Sequence, residues 1–559
     1  SVVASRPEAP EPAALLARIV ARTEGPEAAL AVLDTVEKQT AATKIARARI
    51  VGLLQDNASE ALSLAHEVRS DDNATVVQKA WSHLITGVLA YRHGAIGAAY
   101  EHARAAAEPD LLVDEPLLVG TAQLFLALGR AAEAKRLLQR LSSGPSADLF
   151  LRAHVIAWWY AQTGDTRAGL ATLSGAGFDP EKEAEPAVRV LVLAALLEDS
   201  KRAAERDRAI ALYKKAASDP HWGVAASDGL AEALLEAGST DEALAVLQAG
   251  LSATPNHLTL VDTAARTYID ADRLPEAEEL TSKALAAFDS EGWAHGSHAR
   301  VLIAKNDPAK AVAELDRAVE LSPEDASLYA LRGDASREVD AREESKASYE
   351  KALELEPEQS RALSGLVALL IDMGEFDRAA EIIARMDDAK VRDLRADEQR
   401  VRYLVRTGAG QSGVSTMRSA VGRHSSNAAL RLAGARVYLQ AEDYARAGTY
   451  FQQAKRHGAD ARLVETALAL TQIYGRRTLG AEKSLERANE AVDADGKPLG
   501  ADSQVQVWEL IVKARLALSD DKRGLAARYA QEALDLLPQD ADVQLLLADI
   551  EEDRERSPE

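Results

Sequence analysis

Apolar residues recur along most of the chain at the three- and four-residue spacing of amphipathic helices. Val and Ile follow this spacing too, and no run alternates apolar with polar residues as a half-buried strand does. Glycine or proline separates many of these patterns, which is typical of helix ends. Clear examples are Gly94, Gly129, Gly164, Gly238, Gly374, Pro255, Pro323 and Pro357. The pattern therefore predicts an all-α protein of short helices.

A period of 34 residues is the second regularity. Small residues dominate three columns that advance by 34 for eight units, and a bulkier column accompanies them. The columns begin at Ala231, Ala243, Gly250 and Leu247, and they end at Ala469, Ala481, Ala488 and Leu485. Two helices approach closely only where the contacting residues are small. One helix pair cannot bury its apolar face alone, so the period predicts stacked antiparallel pairs.

These columns resemble the tetratricopeptide repeat family. The best single match is the segment 326–357, where the family's large, small, large, small and proline positions are Tyr329, Gly333, Tyr349, Ala352 and Pro357. The resemblance implies an all-α, right-handed superhelical α-solenoid of antiparallel helix pairs, with about 14–15 repeats. It also implies that the first helix of each pair lines a concave groove in which ligands bind. HEAT and armadillo repeats fit less well, because their periods lie nearer about 40 residues.

We expect six segments along the chain. They are a linker (1–11), degenerate repeats (12–189), regular repeats (190–495), an insertion (496–506), a final repeat (507–540), and a capping helix with a tail (541–559). Regular units begin near 190, 224, 258, 292, 326, 360, 394, 428 and 462, and looser ones near 10, 42, 80, 115 and 150. Each repeat should contact only its neighbours, and the insertion is the expected break in the twist.

Composition excludes several classes of protein. The 559 residues include no cysteine, so disulfides, zinc–thiolate sites and iron–sulfur clusters are impossible. A net charge of -22 argues against general nucleic-acid binding and against attachment to anionic lipid. No apolar run is long enough to span a membrane. The sequence opens on Ser1, so we expect that a preceding segment was removed or trimmed.

Catalytic motifs are poor, and we predict a non-enzymatic protein with no catalytic residue, cofactor or metal. The segment Gly408–Gly413 has the letters of a dinucleotide fingerprint, but the preceding strand that this motif needs is missing. His295 and His298 share a helical face, as two metal ligands would, but no third ligand is evident. We interpret both histidines as packing residues.

The candidate site is the groove that the resemblance implies. One groove-facing column holds Arg266, Arg300, Arg402 and Arg436, and adjacent columns hold Arg337 and Arg406. Such a basic stripe in an acidic protein could bind an acidic segment. The alternative is ordinary ion pairing four residues apart, as between Asp262 and Arg266 or between Glu398 and Arg402.

Aromatic residues form the other part of the candidate site. In the N-terminal half Trp81, Tyr91, His154 and Trp158 map to groove-facing columns, and Trp293 joins them as a candidate protein-binding residue. Exposed aromatic rings in a concavity suit a peptide anchor or a stacked sugar ring. The alternative is that Trp158, Trp159 and Tyr160 fill a core otherwise built from alanine; we assign Trp159 and Tyr160 to that core.

Three functions remain open. The first is a scaffold that binds partner segments in a bacterial secretion, pilus, motility or envelope assembly. The second is a periplasmic role in polysaccharide export or carbohydrate binding. The third is the repeat array of an enzyme whose catalytic domain lies elsewhere. The sequence leaves the compartment open, with the periplasm or envelope slightly favoured over the cytoplasm.

Overall fold

The computed structural model describes residues 10–37, 39–55, 57–108, 114–142, 149–179, 187–198, 203–219, 223–255, 257–492, 497–538 and 541–556. These ranges contain 31 α-helices and no strand, so the all-α prediction is confirmed. The chain divides into two compact units, unit 1 (Ser1–Val339) and unit 2 (Asp340–Glu559).

Unit 1 contains nineteen of the described helices. In chain order they are α1 Pro10–Thr23, α2 Pro26–Asp34, α3 Ala41–Arg49, α4 Ala58–Arg69, α5 Val76–Arg92, α6 Ile96–Ala107, α7 Glu115–Ala127, α8 Ala131–Ser142, α9 Leu149–Gln162, α10 Thr166–Gly175, α11 Ala187–Glu198, α12 Ala203–Ala216, α13 Gly223–Glu236, α14 Thr240–Ala253, α15 Leu258–Asp270, α16 Leu274–Ala287, α17 Gly292–Ala304, α18 Pro308–Leu321 and α19 Ala326–Glu338. A short π-helix, Ile50–Leu54, extends α3.

Unit 2 contains the other twelve described helices. They are α20 Arg342–Leu355, α21 Ser360–Met373, α22 Phe376–Asp388, α23 Leu394–Arg406, α24 Gly410–Arg423, α25 Ala428–Gln440, α26 Tyr444–Arg456, α27 Ala461–Tyr474, α28 Thr478–Asn489, α29 Ser503–Ser519, α30 Arg523–Leu536 and α31 Ala541–Arg556.

Odd-numbered helices from α11 to α27 begin within about three residues of the predicted unit starts. The left-handed turn that ends the first helix of each pair explains this regularity. Its residue recurs every 34 positions, at 238, 272, 306, 340, 374, 408, 442 and 476. Glycine adopts this conformation without steric cost and fills three of the eight positions. The other five are Asp272, Asn306, Asp340, Glu442 and Arg476, each with a positive φ.

Within each unit the odd-numbered helices form the inner layer. Most of them contact the preceding and following odd-numbered helices, whereas the even-numbered helices pack mainly between the odd-numbered ones. Because neighbouring inner helices approach each other more closely than the outer ones do, the stack curves toward the odd-numbered helices. Their free faces therefore line the concave side of each unit.

The small-residue columns lie where the helices cross. Ala243, Ala277, Ala311, Ala379 and Ala447 are all completely buried. Larger residues of the accompanying column fill the space beside them, and Tyr349 and Phe451 are among the largest fully buried side chains. The core of each unit is therefore a series of thin interfaces between alanine-lined helices.

The same close approach occurs at two glycine–tyrosine contacts, 136 residues apart along the chain. A methyl group added at Gly365 would lie 2.4 Å from the ring of Tyr349, and one added at Gly229 would lie 2.5 Å from the ring of Tyr213. In each contact the tyrosine belongs to the helix that precedes the glycine's helix. The glycine is needed here for space, because the ring occupies the volume of a side chain.

The insertion before α29 does not separate the last pair from the rest of unit 2. Helix α29 packs directly on α27 and α28. Arg462 of α27 donates to both carboxylate oxygens of Glu509, at 2.9 and 3.2 Å, and to the carbonyl of Leu499, at 2.9 Å. Gly496, the first residue of the predicted insertion, lies outside the described residues. Arg462 thus bonds α27 both to Leu499 of the insertion and to α29.

The expectation that each repeat contacts only its neighbours is wrong for unit 1. The Trp293 indole N–H donates to the carbonyl of Gly94, 199 residues away, at 2.5 Å. Arg130 donates to the carbonyl of Glu324, 194 residues away, at 2.6 Å. These bonds join helix pairs that are separated by several others in the stack, so unit 1 contains contacts that the period does not encode.

We predict that Gly365→Ala lowers the free energy of unfolding of unit 2 by about 1–3 kcal/mol, because its methyl group would overlap the ring of Tyr349. Thermal unfolding followed by circular dichroism measures the change. Gly422→Ala is the matched control, since Gly422 is an exposed helical residue with no atom near the added methyl. It should be neutral or stabilising. Equal effects of the two substitutions would contradict the packing account.

Candidate functional site

The predicted arginine stripe lies on the odd-numbered helices α15, α17, α19, α23 and α25, and its environment differs between the units. In unit 1 each of these arginines pairs with a carboxylate of its own helix or of a neighbouring helix. Arg266 lies 3.2 Å from Asp262 of its own helix and 3.1 Å from Glu232 of α13. Arg300 lies 3.3 Å from the same Asp262. Charge on this part of the concave side is therefore largely compensated.

The sequence predicted two ion pairs between residues four positions apart on one helix. The pair of Asp262 with Arg266 is confirmed at 3.2 Å. The pair of Glu398 with Arg402 is not formed, because Arg402 instead donates to Asp372 of α21. In unit 1, Arg337 pairs with Glu338 at 3.4 Å. The sequence reasoning did not predict pairing between successive odd-numbered helices, although Glu232 and Arg266 stand in one 34-residue column with opposite charges.

Asp228 of α13 lies beside this row of charges. Its Oδ1 accepts a hydrogen bond from the Thr263 hydroxyl at 2.7 Å. Burial raises the pKa of the Asp228 carboxyl to about 6; the Thr263 hydrogen bond acts in the opposite direction, and the nearby Glu232 raises the pKa further. An ionised Asp228 is therefore a cost to the folded protein at neutral pH.

The aromatic candidates of unit 1 are mostly engaged within the protein. Trp81 is 8% exposed, donates its indole N–H to Asp114 at 3.2 Å, and lies under the guanidinium of Arg49. Trp293, 6% exposed, donates to Gly94. The ring of Tyr91 meets that of His257 edge to face, with centroids 6.1 Å apart.

His154 and Trp158 of α9 complete that set. His154 is buried, and its Nε2 lies 2.6 Å from the amide nitrogen of Gln123. Trp158 is partly buried and packs against apolar residues on both sides of its helix. Trp159, which we assigned to the core, is also only partly buried, and it donates its indole N–H to the carbonyl of Ala131 at 3.2 Å.

The residues considered for other chemistry have local roles. His295 contacts Glu314 at 2.6 Å and the carbonyl of Asp289 at 2.9 Å, whereas His298 contacts Thr281 at 3.3 Å. The two imidazoles thus engage different partners. No group of three or more potential metal ligands occurs among the described residues. Gly408 lies in the left-handed turn between α23 and α24.

Unit 2 carries a concentration of positive charge that sequence reasoning missed. The segment from α23 to α25, residues 394–440, contains eight arginines, no lysine and only two carboxylates, in a chain whose net charge is -22. The arginines are Arg395, Arg400, Arg402, Arg406, Arg418, Arg423, Arg431 and Arg436. A count of charge along the sequence window would have found this segment, which we call the basic segment.

One buried carboxylate, that of Asp397, contacts several residues in the basic segment and next to it. Asp397 is fully buried, and it is contacted by Arg400 at 2.9 Å, Arg423 at 2.7 Å and His424 at 3.2 Å. The side-chain hydrogen bond from Arg423 to Asp397 raises the pKa of that guanidinium. A buried charge that keeps several partners is strongly tied to its position, so this cluster fixes α24 against α23.

Three arginines of the basic segment lie on the concave side: Arg402, Arg406 and Arg436. Arg402 is about one-third exposed beside Asp372. Arg406, at the end of α23, is exposed, and it has no ion-pair partner in the part of the chain that the structure describes. The guanidinium of Arg436 lies 5.2 Å from the ring centre of Trp508. The cation–π contact holds the Arg436 charge in place.

Comparison with known proteins agrees with this architecture. The family described as "Tetratricopeptide repeat" matches residues 202–266, 234–294 and 340–398. Together with the stacked helix pairs of both units, these matches support a multi-repeat protein of the tetratricopeptide repeat family. This fold is one that suggests a protein-interaction scaffold.

One curated relative is "Cellulose synthase operon protein C" of Xanthomonas axonopodis pv. citri (strain 306). It is 30% identical over 185 residues, which cover 30% of this chain and only 12% of the relative. Among solved structures, the chain is similar to "APC/C hetero-tetramer Cut9-Hcn1", with 16% identity, a TM-score of 0.49, and coverage of 96% of this chain and 89% of that one. It is also similar to pilF of Pseudomonas aeruginosa, with 18% identity, a TM-score of 0.28, and coverage of 47% and 98%.

Among the described residues, no helix is both long enough and apolar enough to cross a membrane.

We predict that Asp228→Asn stabilises unit 1 at pH 7, by about 3 kcal/mol. The folded carboxyl has a pKa of about 6 and the ordinary value is 3.8. Between these values the folded state binds more protons, so the wild-type fold loses stability as pH rises through this window. The substitution removes that loss and should have little effect at pH 3.8 or below.

Thermal unfolding at pH 4 and pH 7 tests this expectation. Asp316→Asn is the control, since Asp316 is half-exposed and pairs with Arg332 at 2.7 Å. Removing a surface pair of this kind should cost at most about 1 kcal/mol at pH 7. A destabilised Asp228→Asn variant at pH 7 would show that Asp228 is a favourable charge in the folded protein.

Proposed function

We propose that this protein is a non-enzymatic scaffold that binds an acidic segment of a partner protein on the concave side of α23 and α25. The observation that supports this proposal best is the basic segment, which concentrates eight arginines in an acidic chain. A local positive field within a negative protein attracts acidic partners and disfavours basic ones. The assembly in which the scaffold acts would be bacterial: secretion, pilus, motility or envelope machinery.

The concave side of α23 and α25 offers more than charge. Leu432 and Leu439 of α25 are partly buried apolar residues beside the arginine candidates of this helix. A partner segment with alternating acidic and apolar residues would pair its carboxylates with Arg402 and Arg406 and cover these leucines. Arginine forms bidentate bonds with carboxylates, which gives such a contact both strength and direction.

The arginines of unit 1 are weaker candidates for the same role. Arg266 and Arg300 share Asp262, and Arg266 also pairs with Glu232. A partner carboxylate would have to displace these existing pairs, at a cost that offsets most of the gain. We therefore assign the acidic-segment site to unit 2, where Arg402 pairs with one carboxylate, Asp372, and Arg406 has no ion-pair partner among the described residues. The roles of Arg337, Trp81, Tyr91, His154, Trp158 and Trp293 in partner binding stay predictions.

We predict that the double variant Arg402→Glu with Arg406→Glu weakens binding of an acidic peptide by about 10–100-fold, because the two lost charge-assisted contacts together are worth about 1.4–2.7 kcal/mol. The probe is a fluorescein-labelled peptide of alternating Glu and Leu, titrated by fluorescence anisotropy at low and moderate salt. The affinity of the wild-type protein should fall as salt is added.

The matched control is Arg378→Glu with Arg385→Glu, which makes the same change of charge on the outer helix α22. Arg378 there pairs with Glu375 at 2.6 Å. The control should bind the peptide nearly as well as the wild type. If both double variants lost the same affinity for the peptide, the effect would come from net charge alone. If Arg402→Glu with Arg406→Glu left the affinity unchanged, the proposed site would be refuted.

A second candidate function, carbohydrate binding or polysaccharide export, is supported by the name of the Xanthomonas relative. Trp508 is the only tryptophan after residue 293 in the sequence, and it lies under Arg436. If the concave side of unit 2 binds a β-glucan, cellohexaose should change the tryptophan emission of the wild-type protein. Trp508→Phe should abolish this change. A flat titration of the wild type would count against this candidate.

A further inference from the structure

Two edges of unit 1 that are distant in sequence are bonded to each other. On one side are the turns between paired helices, α5 to α6 and α7 to α8. On the other side are the connections from α14 to α15, from α16 to α17 and from α18 to α19. The contacts recur in register, because Gly94 and Arg130 lie 36 residues apart and their partners Trp293 and Glu324 lie 31 residues apart. One repeat along the first edge thus corresponds to about one repeat along the second.

The centre of this contact is an apolar cluster with a buried hydrogen bond. Trp293 packs with Phe288, with ring centres 5.3 Å apart, and Ile96 of α6 joins their cluster. Gly94 has a φ of 79°, and a methyl group there would lie 3.3 Å from the Trp293 ring. The indole N–H donates to the Gly94 carbonyl in this dry setting, where a lost hydrogen bond is costly.

A carboxylate from one edge caps a helix of the other. Helix α6 begins after Ala95, which has no side chain that can cap it. The carboxylate of Glu291 lies against the backbone N–H groups of Gly97 and Ile96. The Ile96 N–H also donates to the carbonyl of Gly94 at 3.0 Å. The first N–H groups of a helix have no partner within it, so Glu291 offers an acceptor to Gly97.

Contacts on either side extend the junction. Arg130, stacked 4.8 Å from the ring centre of Tyr100, donates to the Glu324 carbonyl. At the other end Tyr91 meets His257 edge to face. Burial raises the pKa of the Tyr91 phenol, and the charge of Asp228 raises it further. Asp228 lies on α13, so Tyr91 is near the row of charges on the concave side.

We propose that these contacts form an intramolecular latch, which closes the part of unit 1 from α5 to α19 into a single bonded turn. Separate helix pairs in an open stack can bend independently. With both edges joined, bending at any pair between them must break the buried Trp293–Gly94 bond or the Glu291 cap. This part of unit 1 therefore behaves as one rigid body.

The absence of cysteine makes a distance measurement clean. Ala98 and Ser290 are exposed residues on opposite sides of the junction. Nitroxide labels on the Ala98→Cys with Ser290→Cys protein, measured by double electron–electron resonance on the full chain, should give one short and narrow distance. A broad distribution in this otherwise unaltered protein would overturn the proposal.

The latch is then removed with Arg130→Ala, Glu291→Ala and Trp293→Phe in the labelled protein. The distance should become longer and broader while the far-ultraviolet circular dichroism stays helical. Glu276→Ala is the matched control, because Glu276 pairs only locally, with Arg273 at 2.8 Å; it should leave the distance unchanged. An unchanged distance in the triple variant would show that these contacts do not hold the turn.

A milder variant keeps the test valid if the triple variant fails to fold. In Glu291→Gln the shape is kept and the charge is lost. Hydrogen–deuterium exchange of the Gly97 amide should then accelerate about tenfold or more, the factor expected for a weakened charge-assisted hydrogen bond. Gly524 is the reference, since it is also the second residue of a helix whose preceding residue provides no side-chain cap. If Gly97 exchanges as fast as Gly524 in the wild type, the cap is not formed.

Discussion

The close crossing of helices at small residues is the constraint on which the rest of this structure depends. Alanine columns such as Ala243, Ala277 and Ala311 bring each helix against the next with no room for larger side chains. Aromatic residues, only 4% of the chain, enter this core where a small residue makes space, as Gly365 does for Tyr349. Curvature follows, because the inner helices are the closest neighbours. The concave side therefore exists because alanine recurs at the positions where the helices cross.

Much of the fold could be predicted from the sequence, since a 34-residue period is written in local composition. The helix starts, the left-handed turns and the buried columns all follow that period, and even Asp272 and Glu442 stand in phase with Gly374. The latch could not be predicted in this way. Trp293 and Gly94 occupy unrelated positions of the period, and nothing in either local sequence indicates the other. Contacts between distant repeats depend on the accumulated rotation of the whole stack.

The candidate site was predictable only in part, for a related reason. The column of Arg266, Arg300 and Arg402 was visible, but the partners of these arginines lie on adjacent helices. Spacing within one helix correctly gave the pair of Asp262 with Arg266 and wrongly gave that of Glu398 with Arg402. The two units consequently differ in the electrostatics of their concave sides. In unit 1 carboxylates compensate the row, whereas in unit 2 the arginines outnumber them.

The contact of Glu291 with helix α6 determines when unit 1 can complete its folding during synthesis. Each helix pair can form from contacts within about 34 residues, which favours rapid local folding. The Gly97 N–H of helix α6, however, lacks the Glu291 carboxylate until residue 291 has been synthesised, and Arg130 cannot reach its partner until Glu324 has emerged. A nascent chain therefore carries the early repeats as an open, incompletely bonded array through roughly 200 further residues of translation. Unit 1 reaches its final stability in one late step, at which the edges of the turn meet.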